Sequence, residues 1–439
     1  MAAEPLPVIV SEEIGAPATS RLAAPERMKL LVAAAGVMLL LQFAAPGAGF
    51  IGLPILFFLK NRLHLSAQGV ASFNFWAGAP LYLGFVFGIL RDRWSPAGRG
   101  DRGHLMLFGV ATAAVYVAMS FLPPTYPVLM VGCLVVTAGV QAAWSATQGL
   151  SSQMAQEHAM AGQTGAAINL AGLVPGIVAF AAGGALSSLL EGQNAVIAAR
   201  LLFLGGAALM IAVALFGAFG PKRLFAAALA SAPQASLKDD IIRLVRCAPI
   251  YAPLIIQLLW QFGPAGGVAL QYHLANRLHA TDADVGLWYA VFWLSVLPTM
   301  AAYGWLCQRV KLRTLLWLGS VVAVPQWLPL LFVHTMRGAF IAAVPIGLVA
   351  GIASVAFTDL TIRACPPRLQ GTMMMLIWSM YWVAIRGGDL WGAWLYETQG
   401  GLSTAIWATT AVYALILPTL LLAPRRLIDS TDGEAIAAV

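Results

Sequence analysis

Charge is what this 439-residue chain has least of. Asp, Glu, Lys and Arg make up 10% of it, while 60% of its residues are hydrophobic. A soluble domain carries about 25% charged residues, so the balance here excludes a water-soluble protein and makes lipid the main solvent. Cysteine is also scarce, with Cys133, Cys247, Cys307 and Cys365 alone. They share no metal spacing and no CxxC pair, which excludes a zinc or thiol-redox centre and leaves them as small packing residues. No Walker A loop occurs, so the chain carries no ATP motor; HExxH and GxSxG are missing as well. No carboxylate-rich repeat points to a metal-dependent transferase. No catalytic cluster, cofactor or metal is therefore expected, and the chain is not read as an enzyme. The opening stretch "MAAEPLPVIVSEEIGAPATSRLAAPERMK" has acids near its start and lacks an apolar core of signal length. It reads as a polar cytosolic tail over 1–28.

What the chain has is apolar length. Stretches of about 20 apolar residues are long enough to cross a bilayer as helices. About twelve stand at 30–59, 67–90, 104–122, 127–152, 164–190, 196–219, 249–274, 284–307, 313–333, 339–364, 371–396 and 403–423. Helices are required because an open sheet would leave peptide groups unpaired in lipid. The fold class is thus all-α and polytopic, with about 12 transmembrane helices in two six-helix bundles. Positive charge sets the orientation. With the N-terminus inside, 19 of the 25 Lys and Arg fall in inner segments, among them Arg91, Arg93, Lys222, Arg223, Arg309, Lys311, Arg425 and Arg426. Both termini are therefore expected in the cytoplasm. The net charge of +7 has the same origin, and no nucleic-acid partner is expected.

The connection 220–248 divides the spans into an N-terminal bundle, 29–219, and a C-terminal bundle, 249–423, followed by a tail over 424–439. "SLKDDIIRLVRC" within the connection is amphipathic, with Ser236 as N-cap and Asp239 and Asp240 in the first turn. It reads as a helix lying on the inner leaflet.

The tetrapeptide Asn-Arg-Leu-His occurs twice, at 61–64 and 276–279. Upstream, "LLLQFAAPGAG" faces "LLWQFGPAGG"; downstream, "GILRDR" at 88–93 faces "GWLCQR" at 304–309. Both tetrapeptides fall in the first outer loop of a half, and both Gly-x-Leu-x-x-Arg copies in the first inner loop. Three features in the same order and topology point to an internal duplication of a six-helix unit.

A parallel repeat of two six-span halves, together with "GFVFGILRDRW", resembles the major facilitator superfamily. Gly88, Leu90, Asp92 and Arg93 match that superfamily's first inner-loop motif. The resemblance implies two bundles rocking about a central site. It also implies a cytoplasmic gate in which Gly88 permits close packing and Asp92 caps the start of the neighbouring span 11, near Gly371-Thr372, or pairs with an Arg. Gln308 stands where a second Asp would, so the charged latch is expected on one side only. "FFLKNRLHLSAQGVASFNFWAGAPLYLGFVFGILRDRWSPAGRGDRGHLML" and "RACPPRLQGTMMMLIWSM" are similar to the folate–biopterin transporter branch, and the muropeptide permeases share much of this style. The chain departs from that branch at Gln370, where an acid is expected, and at "YWVAIRGGD" in span 11.

A charge at membrane depth costs about 2.5–3.5 kcal/mol on insertion scales, so each needs a reason. Arg386 and Asp389 in span 11 are one turn apart, and Trp378, Trp382, Arg386 and Asp389 form one helical stripe. Arg386 reads as the holder of an anionic group, Asp389 as its counter-ion and a protonatable coupling site, and the indoles as a stacking surface. Gln141, Trp144 and Gln148 share a face of span 4. Gln42 and Gln261 lie in spans 1 and 7, which line the cavity in the superfamily. Asn169, Gln257, Tyr272 and His273 read as packing or hydrogen-bonding residues. Asp359 and Arg363, at i and i+4, form a second inner-side pair that reads as gate. The expected function is secondary active transport of a small or medium organic solute, anionic in character, by a monomer in the inner membrane. Protons are the coupling ion that Asp389 points to. The alternative is an assembly or scaffold factor on the same fold, like the light-harvesting-complex assembly factors.

Overall fold

The computed structural model describes residues 22–47, 51–65, 67–191, 195–225 and 236–434. Most of the expected tail over 1–28 lies outside these residues, as do 226–235 of the connection and 435–439. Among the described residues every regular element is helical, as unpaired peptide groups in lipid require.

Twelve spans succeed one another. In the first half they are α1 (Ala24–Ala44, resuming as Gly52–Phe57), α2 (Ala67–Ala77, Ala79–Tyr82 and Gly84–Arg93), α3 (Gly100–Phe121), α4 (Tyr126–Glu157), α5 (Ala161–Glu191) and α6 (Ala195–Phe219). In the second half they are α7 (Tyr251–Gln261, resuming as Val268–Arg277), α8 (Asp282–Leu306), α9 (Leu312–Ala323, extended by Leu328–Phe332), α10 (Met336–Ala364), α11 (Gln370–Thr398) and α12 (Leu402–Ala414, extended through Leu422). Eight described helices are long and apolar enough to cross a membrane unaided. The others include α2 and α7, which are interrupted, and α11, which carries Arg386 and Asp389. In α7 the interruption is "FGPAGG", where Pro264 lacks an amide hydrogen and the glycines tolerate the turn. The paired stretch of α1 is interrupted at the matching place.

Two apolar cores form, one built mainly on the first half and one on the second. The halves meet where α2 crosses α11, α4 lies beside α11, and α5 packs on α8 and α10. The start of α1, the linker helix Leu237–Arg246 and the C-terminal tail share one face of the bundle, the linker face. Glu26 pairs there with Arg223 at 2.5 Å and Asp240 with Arg93 at 2.6 Å. The linker helix buries none of its residues; Ser236 caps it by accepting the Asp239 amide at 3.1 Å.

The duplication extends to the backbone. His64 and His279, the last residues of the two Asn-Arg-Leu-His copies, both have a left-handed φ, 51° and 53°. In the first copy the amides of Leu63 and Leu65 bond to the carbonyls of Phe58 and Leu59; in the second, those of Leu278 and Ala280 bond to His273 and Leu274. Each bond in one half has a counterpart shifted by the same register in the other, so both tetrapeptides are helix-ending turns of one design.

Candidate functional site

Aromatic rings gather between α4 and α11. Trp144 stacks on Trp378 with centroids 5.2 Å apart and planes 24° apart. Trp378 stacks in turn on Tyr381 at 4.8 Å and 9°. Trp382 stands edge-on to both, at 6.1 Å from Trp378 and 5.4 Å from Tyr381. Spacings of three and four residues put Trp378, Tyr381 and Trp382 on one side of α11. The polar atoms around this stack are short of partners. The indole nitrogens of Trp144, Trp378 and Trp382, the amide nitrogen of Gln141 and the amide oxygen of Gln148 are all buried without a hydrogen bond. An unpaired buried donor costs about 1–3 kcal/mol. A run of them beside a flat ring stack is suited to a flat ligand rich in acceptors.

Arg386 lies two turns further along α11, half-exposed, with its guanidinium 3.8 Å from Asp389. That is longer than a direct hydrogen bond, so the pair is looser than the i, i+3 spacing implied. Asp389 has a second neighbour that the sequence reading missed. Its carboxylate lies over Gly267, where a β-carbon would overlap it, and it accepts the Val268 amide at the start of the second piece of α7. The acid thus sits at the positive end of a half-helix exposed by the break. Around it α11 presses on the break itself: a β-carbon on Gly388 would come within 3.2 Å of the Gly263 nitrogen, and one on Gly392 would overlap the Pro264 oxygen. Gln261, partly buried, ends the first piece of α7. Gln42 holds its amide nitrogen 3.4 Å from where a β-carbon of Gly172 would stand on α5. Tyr272 and His273 pack against the ring of Tyr396. Asn169 reaches across the halves from α5 to the Thr358 hydroxyl at 3.2 Å.

The linker face is tied shut between the halves. Asp92, at the end of α2, accepts the amides of Gly371 and Thr372 at 3.1 and 2.6 Å and the Thr372 hydroxyl at 2.7 Å. It therefore caps the N-terminus of α11. Arg91 holds it in place, bonding Asp92 at 2.8 Å and Asp101 at 2.6 Å. Gly88 makes the crossing possible, since a β-carbon there would come within 2.6 Å of the Gly371 carbonyl oxygen. Arg93 turns away to Asp240 of the linker helix. From α4, the Gln156 amide donates to the carbonyls of Ile362 and Cys365, both at 2.8 Å, and Gln370 donates back to Gln156. Asp359 and Arg363 pair at 2.7 Å with 0% and 4% of their side chains exposed, and Tyr303 donates to Asp359 at 2.9 Å.

A carboxylate also stands at the start of α5, though not from position 308. Gln308 bends back to its own helix, donating to the Gly304 carbonyl, and the carboxylate at α5 belongs to Asp432 of the C-terminal tail. Its carboxylate accepts the amides of Gly162 and Gln163, at 3.1 and 2.9 Å, at the start of α5. Arg363 binds it at 3.0 Å. Burial pushes the Asp432 carboxyl up to about 6, aided by the neighbouring Asp359 and opposed by Arg363. Sequence reading also missed Tyr381 and Gln156. An alternating indole–phenol pattern surrounds Tyr381, but no motif marks either residue.

A family model described as the Major Facilitator Superfamily matches residues 38–388. The chain belongs to that superfamily. The solved structures it resembles include the human organic anion transporter MFSD10 (TETRAN), with 16% identity over 91% of this chain and 100% of that one, TM-score 0.61. The proton:xylose symporter XylE shares 12% identity over 93% and 98%, TM-score 0.68. FucP, solved in the outward conformation, shares 15% over 90% and 98%, TM-score 0.66. At these identities the likeness is one of fold. No curated protein matches the chain. The match is at superfamily level, and the folate–biopterin and muropeptide resemblance rests on its two sequence segments alone. Superfamily membership makes the chain a multi-pass membrane protein of a transporter family, as the twelve spans require.

Proposed function

We propose that this protein is a secondary active transporter that carries a flat, small or medium-sized organic anion by alternating access. The observation that carries the reading is the stack of Trp144, Trp378 and Tyr381, flanked by Trp382, with its unpaired indole and amide donors. The donors bind acceptor atoms on the ligand's edge and the rings bind its faces. Arg386, half-exposed on the same helix, meets the anionic group. Gln42 and Gln261, from α1 and α7, complete the lining. MFSD10 is an organic anion transporter, and XylE is a proton symporter; both accord with this class of substrate and coupling. Asp389 is the coupling site, because a proton arriving there would loosen its hold on both Arg386 and the half-helix of α7. The linker face, with the positive charges, lies in the cytoplasm, and the protein resides in an inner membrane as a monomer.

Uptake into proteoliposomes tests the reading, with pterins, folates, muropeptides and siderophores as the panel. One of these classes is expected to be transported, and Arg386→Ala is expected to abolish its uptake. Full uptake by Arg386→Ala would remove the anion-holding role.

A further inference from the structure

Position 308 is where the second half should carry its latch. It is the register equivalent of Asp92, since "GILRDR" faces "GWLCQR". Gln308 cannot deliver a carboxylate, yet the start of α5, the counterpart of the start of α11, is capped by one. We propose that the C-terminal tail is a working part of the inner gate: Asp432 replaces the missing carboxylate at position 308, and its docking holds α5 against α8 and α10.

The geometry of the two caps is alike. Asp92 accepts two successive amides, Gly371 and Thr372; Asp432 accepts two successive amides, Gly162 and Gln163. Each is steadied by an arginine of its own half, Arg91 or Arg363. Two amide donors, a guanidinium and the dipole of the helix N-terminus offset part of the cost of burying this carboxylate. The tail is built to bring Asp432 there. Leu427 and Ile428 are buried in the second half's core. Arg363 bonds the Ser430 carbonyl at 3.1 Å and its hydroxyl at 2.9 Å. The Asp432 amide donates to the Cys307 carbonyl at 2.9 Å, and the Gly433 amide reaches the Ala159 carbonyl at 2.6 Å. Through Gly433 the tail therefore threads from α12 past α10 and α8 to the loop between α4 and α5. It bridges the two halves, which must separate here for the linker face to open.

The room at this junction fits the same account. A β-carbon on Gly162 would come within 2.7 Å of an Asp359 oxygen and of the Cys307 β-carbon. Gly162, whose amide the tail's carboxylate accepts, thus packs directly on α8 and α10, with room for a β-carbon only if those side chains shift. A tail that serves only to end the chain needs none of these bonds across the halves.

Spin-label distances test the proposal on the full-length protein in liposomes, with Cys247→Ser to silence the one native thiol that is not buried. One label pair, Glu157→Cys with Lys311→Cys, reads the α5–α8 side. A second, Arg99→Cys with Pro367→Cys, reads the α2–α11 side. In Asp432→Ala the first distance is expected to lengthen by about 5 Å, the scale of one helical turn, while the second stays put. Adding Gln308→Asp to that variant is expected to restore the first distance, because the carboxylate returns at the register position. Asp432→Glu is expected to keep it. An unchanged first distance in Asp432→Ala overturns the proposal. So does equal widening of both pairs, which would mean general loosening rather than loss of one latch. Failure of Gln308→Asp to restore the distance overturns the assignment of Asp432 as the stand-in for position 308. These readouts need no substrate, so they stand apart from the transport reading.

Discussion

The indole of Trp144 lies 5.2 Å from that of Trp378 with only 24° between their planes, and this contact joins the first half of the protein to the second at the proposed substrate site. In the proposed cycle the two residues move apart or slide when the halves rock. A ligand that stacks on them senses the conformation directly, as alternating access requires.

Removing rings from the stack separates its two contributions. Trp378→Ala or Trp382→Ala is expected to cut uptake about 10- to 100-fold, from the loss of about 1.4–3 kcal/mol of stacking and hydrogen bonding. Trp382→Phe keeps most of the ring and loses the donor, so a smaller loss is expected. Uptake kinetics on purified, reconstituted variants check both. Equal loss in the Phe and Ala forms would assign the effect to the N–H alone.

Asp389 has two partners, and its substitutions should split them. Asp389→Asn keeps an acceptor for the Val268 amide but cannot titrate, so a stable protein with pH-independent transport is expected. Asp389→Ala leaves the half-helix of α7 uncapped, which costs about 1 kcal/mol. A lowered melting temperature in Ala but not in Asn is the expected pattern. Wild-type transport that is flat across pH would end the coupling role.

Gly88 is expected to tolerate no side chain. A β-carbon there meets the Gly371 carbonyl at 2.6 Å, and both partners are backbone, which cannot move aside cheaply. Gly88→Leu should force α2 from α11 and bias the protein toward an open linker face. Faster modification of a cysteine placed at Thr372 would report this. Unchanged labelling would mean that the crossing relaxes without opening.

Tail docking should depend on pH with a definite sign. The Asp432 carboxyl is raised to about 6 in the docked state, against about 3.9 when free. The docked state therefore holds its proton more tightly. Docking is strongest below about pH 4 and weakens as the pH rises through about 6. Among the described residues Asp359, Arg363 and Cys307 face it, with Tyr303 one contact further on, bonded to Asp359, and Asp359 adds to the upward push. Protease cleavage of the tail is expected to be slower at about pH 5 than at about pH 7.5, with Asp432→Asn removing the difference.

The sequence revealed much of this fold because lipid makes simple demands. Apolar length marks the spans, and the asymmetry of Lys and Arg marks a face. The stripe on α11 is legible for the same reason: Arg386 and Asp389 are costly at that depth, so they stand out. Trp144 and Trp378 can each be singled out, yet nothing in a linear chain says that residues so far apart in sequence stack. The break in α7 is visible as "FGPAGG", but the capping of its second piece by Asp389 is not. Asp432 was hidden for a different reason. One acid in a polar tail, near Asp429 and Glu434, costs nothing in water and so carries no signal until the tail folds back.

The interrupted form of α7 has a mechanical consequence. Its partner α11 runs unbroken from Gln370 to Thr398, about 43 Å at 1.5 Å per residue. One end is gripped by Asp92, the middle carries the ring stack, and the far end presses Asp389 and Gly392 into the break of α7. In the proposed transport cycle such a rod works as a lever with the ligand near its fulcrum. A tilt released at the latch would then reappear, reversed, as a push on the loose half of α7 on the other side of the membrane, so that opening one gate favours closing the other.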